Sequence, residues 1–144
     1  MQQFLEKGNY VNDSAEKQQP VQIKRVINKR EITFDVYDST QGFSDSKWKR
    51  VVAVFCSGNE WQFKDWKSAQ DLGTVINKKE LFARVRGFYM SFQDVKVPSH
   101  LDSWNVLKLQ LPRNKRHHDV NEQTKFWGDF ETFLKRERYS GSVW

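Results

Sequence analysis

Five cations and one indole carry most of the chemistry that this chain's residue types permit. Arg50, Lys64, Arg113, Lys115 and Arg116 are candidates for holding phosphate. A guanidinium fork clasps an oxyanion through two parallel N–H bonds, and an ammonium acts on it as a point charge. Trp61, close to Lys64 in a polar stretch, offers a flat face on which a Tyr or Pro of a bound peptide can stack. The structural alternative for Trp61 is a lid over the core, and for Arg50 an ion pair inside it.

The same stretch has the outline of a nucleotide phosphate loop. Gly58 and Lys64 stand at the spacing of that motif's first glycine and lysine. The second glycine is replaced by Phe63, and the hydroxyl residue by Asp65. A phenyl ring stands where the backbone must wrap phosphate closely, and a carboxylate would lie beside polyphosphate. No Asp stands three residues before any glycine, and Asn114-Lys115-Arg116-His117 keeps only half of a guanine-reading Asn-Lys-x-Asp. Nucleotide binding and hydrolysis are not expected. Cys56 lacks the small-residue pattern of a nucleophile elbow and reads as a packed thiol. His100, His117 and His118 are not at metal-ligand spacing. No catalytic residue, metal or cofactor is implied.

These residues need elements to hold them. Val51 to Phe55 is a continuous apolar run, which reads as a central strand buried on both faces of an α/β sheet. Arg50 is then expected to enter that strand, with the turn Cys56–Asn59 at its carboxyl end, where α/β domains place their sites. Upstream, 21–27 and 31–37 are expected to pair as a hairpin turning near Lys29, with a loop over 38–47. Downstream, a helix over 77–84 directs Leu81, Phe82 and Val85 to the sheet and ends at Gly87. Residues 85–92 and 104–111 alternate, and are expected to be antiparallel neighbours. Asp119 and Glu122 suit a helix start, and Phe126, Trp127, Phe130, Phe133 and Leu134 form its buried stripe. Residues 1–19 read as a polar tail or linker and 20–144 as a single domain.

At 144 residues the chain is long enough to bury a core, and its six Trp and eleven Phe supply bulk for one. One cysteine permits no intrachain disulfide. No apolar run approaches the length of a membrane span, and no membrane partner is expected. Residues 1–40 hold six basic and six acidic side chains, so the net charge of +6 belongs to 41–144. A basic body of this kind suits nucleic acid or an acidic, often phosphorylated, polypeptide; a solvated surface kept for solubility is the bland alternative. Composition leaves these readings open.

Arg50-Val51-Val52-Ala53-Val54-Phe55 followed by Trp61-Gln62-Phe63-Lys64 resembles the parafibromin family, specifically its C-terminal domain. Trp104-Asn105-Val106, Lys115-Arg116-His117 and Phe126-Trp127 add to the likeness, which covers about residues 31–136. Members of this family are subunits of the RNA polymerase II-associated factor (Paf) complex. The resemblance implies a Ras-like three-layer α/β fold with a central mixed sheet and a lost nucleotide site. It implies a non-enzymatic nuclear domain acting in transcription elongation. Its partners would be other Paf complex subunits and the phosphorylated C-terminal repeats of the polymerase and its elongation factor. Through them the complex would attach to chromatin and support histone modification. Arg50, Trp61, Lys64, Lys115, Arg116 and His117 fall on shared family positions, whereas Arg113 and Asn114 depart from the pattern. The expected binding set is Arg50, Trp61, Lys64, Arg113, Lys115 and Arg116; the alternative is direct nucleic-acid binding by the 113–118 turn.

Overall fold

The computed structural model describes residues 5–6, 21–63 and 78–139. Strands β1 (Val21–Ile27) and β2 (Arg30–Val36) pair antiparallel, from Val21 opposite Val36 to Ile27 opposite Arg30. Asn28 and Lys29 between them have φ of 53° and 65°. Two left-handed residues in a two-residue link make a primed turn, whose twist matches that of the strands it joins. The expected hairpin is present. Ile23 and Ile27 are buried, and Ile32, Phe34 and Val36 pack on the same core.

Helix α1 (Asp45–Lys49) occupies part of the expected 38–47 loop. Its start is set by Ser44, whose side chain accepts from the Lys47 amide at 3.2 Å. One turn is too short to leave a periodic pattern in the sequence. Arg50 therefore does not enter the strand. Its amide bonds back to the Lys47 carbonyl, capping α1, and its side chain is exposed.

Strands β3 (Ala53–Cys56), β4 (Arg86–Phe92) and β5 (Val106–Leu111) form the second sheet, in that order and all parallel. The antiparallel expectation for β4 and β5 is overturned. Thirteen residues, 93–105, separate them; that suffices for a crossover, whereas alternation within strands carries no direction. The chain thus combines parallel and antiparallel pairing, divided between two ladders.

Each face of the parallel sheet is covered. Ala53, Phe55, Phe88, Met90, Leu107, Leu109 and Leu111 face helix α3 (Asp119–Leu134) and the hairpin. On the other side Val54, Cys56, Tyr89 and Val106 meet helix α2 (Lys78–Arg84) and the Trp104 region, through Leu81, Phe82, Val85 and Leu101. The expected α3 stripe, Phe126, Trp127, Phe130, Phe133 and Leu134, is buried throughout. Leu5 joins this core; its carbonyl accepts from Trp127 Nε1 at 3.0 Å and Gln123 Nε2 at 3.1 Å. Gly87 does not end a helix but lies inside β4. A Cβ there would stand 2.6 Å from both Phe82 and Val106, so hydrogen alone lets helix and strand approach this closely.

Arg86 ties the start of β4 to α3. Its Nε lies 2.9 Å from both Asp129 carboxylate oxygens, and its Nη2 lies 2.8 Å from Oδ1. The side chains are 17% and 21% exposed. Removing one partner strands the other in a poorly solvated place. Arg86→Ala and Asp129→Ala are each expected to cost about 2 kcal/mol, since hydrogen bonds to charged groups contribute about 1.5–3. In urea titrations the double mutant should lose clearly less than the sum of the singles; strict additivity would show that the pair contributes nothing.

Candidate functional site

Because β3, β4 and β5 run the same way, the segments after them emerge at one edge of the sheet: 57–63, 93–103 and 112–118. This carboxyl edge is where open α/β sheets bind ligands. Direct bonds join the three segments. Arg113 Nε donates to Asp94 Oδ2 at 2.7 Å, and His100 Nε2 lies 2.7 Å from the Gly58 carbonyl.

The first loop is closed on itself. Gly58 is buried with φ +88°, a conformation that suits only glycine, and a Cβ there would meet the Tyr89 ring at 3.2 Å. Gln62 reaches back over the turn. Its Oε1 accepts from the Ser57 amide at 2.8 Å and the Ser57 hydroxyl at 3.2 Å, while its Nε2 donates to the Phe55 carbonyl at 3.1 Å. The Asn59 amide donates to Ser57 Oγ at 3.3 Å. The Ser57 and Asn59 amides are thus bonded within the loop and not offered to a phosphate. Phe63, in the place of the second glycine, is 1% exposed, its ring 5.6 Å from Trp104 and 6.0 Å from Phe82. Cys56 beneath the turn is buried, and desolvation pushes its thiol up to about 12, which makes it a poor nucleophile.

The expected binding residues divide between two ends of the molecule. Arg113 and Lys115 lie on the carboxyl edge with exposed side chains, and Arg116 opens the 3-10 turn Arg116–His118 that leads into α3. Trp61 is in the 3-10 turn Glu60–Phe63, after β3 and so at the same edge. Lys64 lies outside the described residues. Arg50 is at the opposite end, ahead of β3. Six steps of strand separate the level of Ala53 from that of Leu111, about 20 Å at 3.3 Å per residue. A single clamp uniting Arg50 with the 113–116 turn is therefore ruled out by the strand direction.

Arg113 is held in place. Its Nε donates to Asp94 Oδ2 at 2.7 Å, and its guanidinium lies 4.2 Å from the centre of the Phe92 ring. Donation from Arg113 depresses the Asp94 carboxyl below its ordinary value, and raises Arg113 in turn. A depressed carboxylate contributes its pairing above its unfolded pKa and loses it as pH falls through the lower folded value, so the pair persists at neutral pH. Sequence reasoning missed Asp94, Gln62 and His100. Each acts through a partner on a loop after another strand or across a turn, and no local pattern announces such a contact.

Residues 1–133 match the family described as "RNA pol II accessory factor, Cdc73 family, C-terminal". Cell division control protein 73 of Saccharomyces cerevisiae is 36% identical over 147 residues, covering 96% of this chain and 35% of the yeast protein. Protein CDC73 homolog of Arabidopsis thaliana is 29% identical over 153 residues, covering 97% of this chain and 35% of the plant protein. The chain thus spans about a third of the length of these curated relatives. The solved structure described as the conserved domain of yeast Cdc73 has a TM-score of 0.82 at 33% identity, covering 96% of this chain and 87% of that one. The Ras-like α/β class expected from the sequence holds. The chain belongs to the Cdc73 family of RNA polymerase II accessory factors and corresponds to its C-terminal domain.

Proposed function

We propose that this domain is a non-enzymatic recruitment module. It binds phosphorylated C-terminal repeats of RNA polymerase II or of its elongation factor, and so attaches the Paf complex to transcribed chromatin in the nucleus. Family membership supports the polymerase as the target. The observation that carries the reading is the exposed Arg113–Lys115 turn, set beside a loop whose Ser57 and Asn59 amides are bonded within it. Such an edge can offer side-chain cations to a phosphoester. Arg113, Lys115 and Arg116 are the proposed phosphate contacts, with Trp61 on the turn at the same edge. Arg50, at the far end, contacts a different stretch of any bound tail.

Titrating fluorescent repeat peptides, phosphorylated and plain, tests this. The phosphorylated form is expected to bind more tightly, and Arg113→Glu with Lys115→Glu to weaken it by at least tenfold, about 1.4 kcal/mol. Asp94→Asn frees Arg113 from its competitor and should tighten binding a few-fold. Equal affinity for both peptides would overturn the reading. Tighter binding to plain duplex or single-stranded nucleic acid, with a steep salt slope, would transfer the 113–118 turn to that ligand instead.

A further inference from the structure

The strands of this domain differ in how their outer edges are finished. On β5 the Gln110 amide donates to Glu122 Oε2 at 3.1 Å, and the Lys108 carbonyl accepts from Lys125 Nζ at 2.9 Å. On β3 the outward Phe55 carbonyl is taken by Gln62. Side chains thus blunt both edges of the parallel sheet, a common defence against edge-to-edge pairing. Among the described residues, no side chain covers β1 in this way. Its two-residue turn makes Ile27 and Arg30 the closing bonded pair, so the backbone groups of Gln22, Lys24 and Val26 point away from β2. None of the three makes a backbone bond outside the ladder among the described residues.

A groove of about 460 Å³ borders that same edge. Gln22, Lys24 and Arg25 form one wall, Leu5 and Glu6 the other, and Trp127 lines it between them. Arg25 is pinned in place, stacked 4.3 Å from the Trp127 ring centre and bonded to Glu131 at 2.7 Å. Val26, at the end of the edge, is 66% exposed, the most exposed of the large apolar side chains among the described residues. The outer edge of β2 carries Glu31 and Asp35.

We infer that the β1 edge is a docking site for an extended, carboxylate-rich segment of a partner protein, which adds to the hairpin as a third strand. Main-chain bonds to Gln22, Lys24 and Val26 hold the segment, as in other strand-addition interfaces. Its acidic side chains face Lys24 and Lys29 at the hairpin tip, both exposed. A second copy of this chain is the disfavoured occupant. Antiparallel self-pairing about the centre of β1 sets Lys24 against Lys24, and both chains carry +6.

The probe is an acetylated peptide of about eight alternating glutamates and valines, the length of a typical strand, compared with its lysine–valine counterpart. Binding is followed by amide shifts of the whole chain in NMR. The acidic peptide is expected to bind at least tenfold more tightly and to shift Gln22, Lys24 and Val26. Lys24→Pro removes an outward N–H that edge strands can spare, and should weaken binding about tenfold with the melting temperature unchanged. Should that variant fail to fold, a peptide N-methylated at alternate positions decides the matter, because it cannot complete the ladder and should not bind. Equal binding of both charge forms, undiminished binding of the methylated peptide, or dimerisation through this edge in sedimentation would each overturn the proposal. Arg113→Glu with Lys115→Glu leaves this binding intact, which separates its failure from that of the carboxyl-edge reading.

Discussion

Phe88→Ala is expected to destabilise the domain by about 4 kcal/mol, within the 3–5 typical of Phe deletions in cores. Phe88 has no exposed surface and stands where the parallel sheet meets α3. Its ring lies 4.6 Å from that of Phe126, 5.5 Å from Phe55 and 6.0 Å from Phe130, the last edge-on at 89°. Rings are stiff, and three of them cannot close over the lost volume without leaving their rotamers. Most of the cavity therefore persists. A domain of ordinary stability, about 5–15 kcal/mol, would lose a large share of it. Phe88→Leu keeps most of the volume and should cost under about 1.5–2 kcal/mol. Urea denaturation of both variants is the measurement. A loss below about 1.5 kcal/mol for the alanine variant would mean that the cluster collapses, and that its packing is looser than these distances imply.

Gly87→Ala is expected to cost about 3 kcal/mol, at the upper end of overpacking penalties. The added methyl would overlap Phe82, 1% exposed, and Val106 on the neighbouring strand, each at 2.6 Å. Neither is the free end of a flexible side chain. Either α2 must lift from β4, exposing Leu81 and Phe82, or β5 must shift along its ladder. Trimming the obstacles distinguishes this from a backbone effect. Gly87→Ala combined with Val106→Ala and Phe82→Leu should cost less than the sum of the separate changes by at least about 1 kcal/mol. Simple additivity in thermal and denaturant melts would place the cause elsewhere.

Much of the architecture can be read from local pattern. The i, i+1, i+4, i+7, i+8 spacing of Phe126 to Leu134 identifies a buried helix face, because a 3.6-residue period brings those side chains to one side. Ile32, Phe34 and Val36 identify a strand with one packed face for the same kind of reason, at period two. The loss of a phosphate cradle was also visible, since Phe63 in a glycine's place is a matter of side-chain volume alone. Strand direction is not visible in local pattern, because alternation carries no polarity, and β4 and β5 are parallel. Gly87 looked like a helix stop, because a glycine's need for close approach depends on what lies across from it, here Phe82 and Val106.

The binding set shows the same division. Its chemistry, cations beside an aromatic residue, follows from residue type. Its grouping depends on which end of a parallel sheet each loop leaves, and that separates Arg50 from Arg113 and Lys115 by the length of the strands. Spacing along the chain thus determined the elements, their buried faces and the kind of ligand that the charges suit. Only the folded sheet decided which charges act together, because direction, register and edge exposure arise from contacts between segments far apart in sequence.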